Sequence, residues 1–136
     1  MSIELNRDYN LREQLLFGED YDAAHYRMGG IRRFENIAPS TLAKLLELHL
    51  IDPNDAQNSS PTAEEFLNFF VERGMDDGGW YVHGYAVSPA RDDYRITIEG
   101  CGKSEAPTFS ESFDFGLMFR HADELNVDEY LYCWYD

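Results

Sequence analysis

Residues 80–99 read WYVHGYAVS-PARDD-YRITIE, two runs rich in strand-forming residues on either side of a short polar segment. From residue 94 to residue 99 apolar and polar side chains alternate, which is the pattern of a strand with one buried face. Pro89 and the aspartates after Arg91 are typical of turns. The stretch therefore predicts a β-hairpin, with strands over residues 80–88 and 94–99.

The sequence before the hairpin predicts helices. One is expected from Pro39 or Ser40 to about Asp52, because leucines recur there at helical spacing and a proline follows. A second is expected over residues 61–73, where Ser60 is a suitable N-cap, proline occupies the first turn and a glycine follows the last. Its apolar stripe should be buried.

Other segments carry weaker signals. Two short helices are predicted near the N-terminus, over residues 11–17 and 20–28, each followed by glycine. Residues 108–121 fit either a strand or a helix. We prefer a helix, because it can carry the chain back beside the hairpin and deliver the last strand, predicted over residues 129–135.

Together these elements predict a single α+β domain over residues 1–136. Its N-terminal helices should pack on one face of a small, mainly antiparallel, three-stranded sheet, in the order helices, hairpin, helix, strand. The length of 136 residues matches the commonest domain size, and no segment has the composition of an interdomain linker.

The chain is strongly acidic, with 26 Asp and Glu against 11 Lys and Arg and a formal net charge of −15. Repulsion from phosphates disfavours direct binding to nucleic acid. No apolar run is long enough for a membrane helix, and the N-terminus lacks the apolar core of a signal peptide. We therefore expect a cytoplasmic protein without membrane contact, whose acidic surface aids solubility or docks on a partner with a basic surface.

The sequence contains no recognisable catalytic or cofactor motif. Cys101 and Cys133 have no zinc-site spacing and are expected to be buried thiols. The four histidines are scattered, and the loop from Asp52 fails the calcium-binding pattern because Ala56 and Gln57 replace a required ligand and glycine. No P-loop, GxGxxG or GxSxG occurs. We expect no metal, no cofactor and no assigned catalytic residue.

The predicted sheet suggests a binding surface, because successive strand residues point to opposite faces. If Val82, Ala86 and Cys133 face the helices, the other face is aromatic. The candidate partner-binding residues on it are Tyr81, His83, Tyr85, Tyr130, Tyr132 and Trp134. Two alternatives stay open: residues 1–37 cover this face, or a one-residue slip in register reverses the faces.

These observations favour a small acidic protein-interaction module without catalytic activity, which binds another protein through the aromatic sheet face or the acidic surface. One alternative is an acidic inhibitor that mimics nucleic acid. Another is a small enzyme whose site is assembled from distant residues, including His83 and Glu99. A flat aromatic patch would favour the module, whereas a concave pocket with shifted pKa values would favour the enzyme. The identity of the partner and the oligomeric state are not specified.

Overall fold

The computed structural model describes residues 3–27 and 30–136. Within these ranges the α-helices are α1 (Tyr9–Phe17), α2 (Pro39–Glu47), α3 (Ala63–Val71) and α4 (Phe109–Met118). The strands are β1 (Ile31–Ile37), β2 (Trp80–Val87), β3 (Ile96–Lys103), β4 (Glu124–Asn126) and β5 (Leu131–Trp134). The class is α+β. None of the helices in the described ranges has the length and apolarity needed to cross a membrane.

The strands form one sheet in the order β1-β2-β3-β5-β4, and every neighbouring pair is antiparallel. The prediction of three strands is wrong, because β1 and β4 extend the two edges. β4 has only three residues.

In β1 the buried Phe34 and Ile37 are three residues apart, which resembles helical spacing. A shift in the β1–β2 register between these two residues allows both to face the core.

The predicted hairpin is confirmed by the pairing of β2 with β3, which runs from Ala86 opposite Ile96 to Trp80 opposite Lys103. β3 therefore continues four residues beyond the predicted strand end at Glu99. The register shifts once, since His83 lies opposite Gly100 and Gly84 lies opposite Ile98. Glu99 is thus the extra residue of a β-bulge.

The helix termini differ from the predictions where capping residues compete. α3 uses Thr62 as its N-cap instead of Ser60, because Thr62 and Glu65 form a reciprocal capping box. α2 begins at Pro39 as predicted, but it ends at Glu47, and His49 has a left-handed conformation with φ of 58°.

The N-terminal segment contains less helix than predicted. α1 ends at Gly18, whose φ is 68°, as expected for a left-handed C-cap. The predicted helix over residues 20–28 is reduced to a single 3-10 turn at Ala23–His25. Its predicted end at Met28 and Gly29 lies outside the described residues.

The helix preferred for residues 108–121 is confirmed as α4, which is capped by a Thr108–Glu111 capping box. Its buried Phe119 stacks on Phe66 of α3, with ring centroids 5.5 Å apart. Phe69 of α3 packs edge-on against Trp80 of β2 at 5.6 Å. An aromatic core thus joins α3 and α4 to the inner face of the sheet.

Substitution of the core phenylalanines tests this packing. Phe66 and Phe70 are fully buried on α3, so Phe66→Ala or Phe70→Ala should lower the free energy of unfolding by about 3–5 kcal/mol. Val71→Ala, at an exposed position of the same helix, should change it by less than about 0.5 kcal/mol. Urea denaturation measures all three, and a loss below about 1 kcal/mol at either phenylalanine would contradict the assigned core.

Candidate functional site

The two faces of the sheet are arranged as the alternation in β2 predicts. The core contains Val82, Ala86, Ile96, Ile98, Leu131 and Cys133. On the opposite, outer face, His83 stacks on Tyr132 with ring centroids 5.3 Å apart and planes 10° from parallel. Tyr81 and Tyr85 lie on this outer face too, opposite Gly102 and Thr97 of β3. The predicted register is therefore confirmed.

The outer face is concave and holds a cavity of about 300 Å³, which we call the outer cavity. Four strands supply its lining, which consists of Arg33, Phe34, Glu35, Tyr81, His83, Gly84, Glu99, Tyr132 and Trp134. Four of the six predicted partner-binding residues therefore lie together in one cavity. The volume is at the small end of the range for ligand pockets.

The other two predicted residues lie nearby. Tyr85 lines a neighbouring cavity of about 290 Å³, which shares Arg33 and Glu99 with the outer cavity. Tyr130 is exposed and precedes β5, and it lines neither cavity among the described residues. The six predicted partner-binding residues are thus divided between the outer cavity and its surroundings, and they do not form one flat patch.

Glycines in β3 create the space for the aromatic rings. A Cβ atom at Gly100 would lie 2.0 Å from the carbonyl oxygen of Cys133 and 2.7 Å from Nε2 of His83. At Gly102 it would lie 2.4 Å from Oη of Tyr81. Only glycine at these two positions allows the His83 and Tyr81 rings to lie close over the neighbouring strand.

His83 is held by the backbone of β5. Its Nε2 lies 2.9 Å from the carbonyl oxygen of Cys133. Because a carbonyl can only accept, Nε2 carries the proton, and Nδ1 of the neutral ring keeps a free lone pair. Burial is the main cause that lowers the pKa of His83, and the Arg33 charge lowers it further, whereas the bond to Cys133 and the Glu35 charge raise it. The neutral ring is therefore favoured at neutral pH.

Glu99 is a buried carboxylate on the outer face, where alternation from Ile96 and Ile98 places it. Arg33 donates a hydrogen bond to it and forms an ion pair, and the Trp134 side chain is a further hydrogen-bond partner. Burial raises the pKa of Glu99, and these two partners oppose that rise. The guanidinium of Arg33 also lies 5.9 Å from the centre of the Tyr85 ring. The outer face thus binds one of its own cations between a carboxylate and an aromatic ring.

The sequence interpretation missed Arg33 and Glu35. Both lie in β1, within a segment whose apolar residues recur at intervals of three and give no strand signal. A cover of the aromatic face by residues 1–37 is one of the alternatives that the sequence leaves open. In the structure they contribute an edge strand, and Arg33 and Glu35 border the cavity.

The chemistry of the outer cavity favours binding of a cation. Tyr81, Tyr132 and Trp134 contribute aromatic rings to the lining, with one face of Tyr132 covered by His83, and Glu35 adds a carboxylate on an exposed residue. Within the part of the chain that the structure describes, no Ser, Thr, Cys or Lys lines this cavity. No group of three or more His, Cys, Asp or Glu residues suited to a metal ion occurs among the described residues.

Comparisons with protein-family models, with curated proteins and with solved structures each returned no match for this chain. The role of the outer cavity is therefore inferred from its own residues.

The lowered pKa of His83 predicts a dependence of stability on pH. The unfolded chain has the ordinary histidine pKa of 6.5, so it binds more protons than the folded chain between the two pKa values. The contribution of neutral His83 is therefore complete above pH 6.5 and is lost as the pH falls through the lower folded pKa. As the pH falls from neutral to about 5, the free energy of unfolding of the wild type should therefore decrease more than that of His83→Gln.

Chemical denaturation at several pH values measures this difference. His121→Gln, at an exposed position, is the matched control for the substitution of a histidine by glutamine. Parallel profiles for the wild type and His83→Gln would contradict the assignment of His83 as a buried neutral ring.

The glycine requirement gives a second prediction. Gly100→Ala should lower the free energy of unfolding by about 1–3 kcal/mol or more, since the added methyl group meets backbone and the His83 ring. Gly116→Ala is the matched control, because its methyl group would meet only Val127, at 3.5 Å, within helix α4. It should be neutral or stabilise by up to about 1 kcal/mol. Equal effects in thermal or urea denaturation would show that close ring packing is not required at Gly100.

Proposed function

We propose that this chain is a non-catalytic protein-interaction module that binds a basic side chain of a partner protein in the outer cavity. The observation that carries the proposal is the combination of three aromatic residues with Glu35, whose carboxylate has no ion-pair partner among the described residues. Ring faces and carboxylates both attract a guanidinium or ammonium group. Tyrosine and tryptophan are also the residues that most often dominate the energetics of protein interfaces.

The internal ion pair supports this choice of ligand. Arg33 is held by Glu99 and lies beside Tyr85 on the same face. An arginine from a partner would find the same kind of environment beside Glu35 and Tyr132. A cation placed over an aromatic face contributes about 0.5–1 kcal/mol when exposed and about 2 kcal/mol when desolvated.

The net charge of the chain acts over a longer range. A formal charge of −15 attracts a basic partner before contact and raises the rate of association, with a strong dependence on salt. The same charge opposes an acidic partner or a nucleic acid. The acidity and the aromatic cavity therefore favour the same class of ligand.

Catalysis is the second candidate function, because His83 and Glu99 do lie in one concave cavity with shifted pKa values. A free Nδ1 on neutral His83 is suitable for a general base. However, Glu99 is already bound by Arg33 and Trp134, and the described lining offers no serine, threonine or cysteine nucleophile. Binding of a basic side chain needs no such group and is the simpler function.

An inhibitor that mimics nucleic acid would use the surface differently. Its affinity would be distributed over exposed carboxylates such as those of the C-terminal quarter, where residues 104–136 hold eight acids and one base, Arg120. Substitution of a residue in the outer cavity would then have little effect. This difference separates the inhibitor from the module proposed here.

A titration with a small cation tests the proposal. The probe is Nα-acetyl-arginine N-methylamide, followed by NMR through the indole N–H groups of the two tryptophans. The Trp134 resonance should shift in a saturable manner, whereas Trp80, buried on the inner face, should not. Glu35→Gln should weaken binding up to about fivefold, as expected for a partly exposed ion pair.

The matched control probe is Nα-acetyl-glutamate N-methylamide, which should leave Trp134 unshifted. Equal shifts with both probes, or a shift at Trp80 of the same size as at Trp134, would contradict cation binding in the outer cavity. No saturable shift with the arginine probe would also contradict it.

A further inference from the structure

Helix α4 exposes large apolar side chains on the side that faces away from the core. Phe109 is 89% exposed, Phe113 63% and Leu117 56%. We call these three residues the α4 stripe. Their spacing of four residues places them along one side of the helix, over about 12 Å. Because Phe115 on the same helix is fully buried in the core, α4 is apolar on two sides, which is typical of a helix with partners on both.

A groove lies next to the α4 stripe, between α3 and α4. It encloses about 460 Å³, and Leu117 lines it together with Phe69 and Met118. Leu117 belongs to both the stripe and the groove, so the apolar stripe continues into a groove whose other lining residues are mostly polar or charged. Contiguous exposed apolar surface of this kind marks an interaction site in soluble proteins.

The charges around this surface are mainly negative towards solvent. Arg73 in the groove has a side chain only 19% exposed, and it is paired with Glu72, which is 74% exposed, and with Asp114. Lys103 is likewise buried against Glu111. Arg120 also lines the groove and is exposed, and it is opposed by the exposed Glu65 and Glu72 of the same lining. Among the described lining residues, the charge presented to solvent is therefore mainly negative.

We propose that the α4 stripe and the adjoining groove dock an amphipathic helix of a partner protein, with an apolar stripe flanked by Lys or Arg. A helix laid along α4 would match the four-residue spacing of Phe109, Phe113 and Leu117. Its basic flanks would meet the exposed carboxylates of Glu72 and Asp114.

Charge also argues against a second copy of this chain as the occupant. Two copies would each bring a formal charge of −15 and would place the same carboxylates opposite one another.

This docking surface is separate from the outer cavity, since α4 packs on the inner face of the sheet. The proposal therefore does not rest on the function proposed for the outer cavity.

A designed peptide tests the proposal on the full chain. The probe is an amphipathic helix of about 18 residues with a leucine stripe and lysine flanks, and its control has the same leucines with glutamate flanks. Calorimetry at physiological salt should show binding of the lysine peptide only. Phe113→Ser should weaken that binding by at least about tenfold.

Val71→Ser is the matched control, because Val71 is exposed on α3 and does not line the groove. It should change the affinity by less than about twofold. Both substituted side chains are exposed, and circular dichroism verifies that both variants are folded. Equal affinity of Phe113→Ser and the wild type, or equal binding of the two peptides, would overturn the proposal.

Two further measurements identify any other occupant. Sedimentation should show a monomer, and a wild-type dimer that Phe113→Ser abolishes would assign the surface to a second copy and overturn the proposal. Glu35→Gln should leave the peptide affinity unchanged. If Glu35→Gln lowered it and Phe113→Ser did not, the peptide would occupy the outer cavity, which would overturn this inference while supporting the other.

Discussion

The β-bulge at Glu99, within the pairing of β2 and β3, determines the outer face of the sheet. Before the bulge, Ile96 and Ile98 face the core, and continued alternation would also turn Gly100 and Gly102 inward. The extra residue reverses that alternation. It places both glycines beneath the rings of the outer face, on the same side as Glu99, which alternation from Ile98 already turns outward. With Glu99 in a regular strand and no bulge, Gly100 and Gly102 would face the core, and the rings of His83 and Tyr81 would meet side chains on the outer face.

The inner face supplies the rigidity that a preformed cavity needs. Phe69 contacts Trp80, Phe115 and Phe119, so one α3 side chain joins β2 to α4. The two proposed binding surfaces thus lie on opposite layers and differ in character. The outer cavity is concave, aromatic and polar, whereas the α4 stripe is apolar and protrudes. Carboxylates border both, and the net charge of −15 makes a basic partner the favourable one at either surface.

The candidate site could be predicted only in part. Tyr81 and His83 follow from the alternation within β2, and Tyr132 follows in the same way from β5. Arg33 and Glu35 did not follow, because the irregular register of β1 places apolar residues three apart and hides the strand. The concavity of the outer face also escaped prediction. The close packing of its rings over β3 depends on the absence of Cβ atoms at two glycines, which has an effect only when another strand brings rings against them.

The sequence by itself determined the local structure. The alternation in residues 94–99 and the glycine after α1 act within a few residues, and so they can be recognised without the rest of the chain. The Thr62–Glu65 capping box is equally local, but Ser60 competes with it in the sequence. Only the tertiary structure decided which segments became edge strands, where the bulge fell and which charges met. The Arg33–Glu99 pair joins residues 66 positions apart. The pair forms only when the whole sheet forms, so no local sequence pattern predicts it.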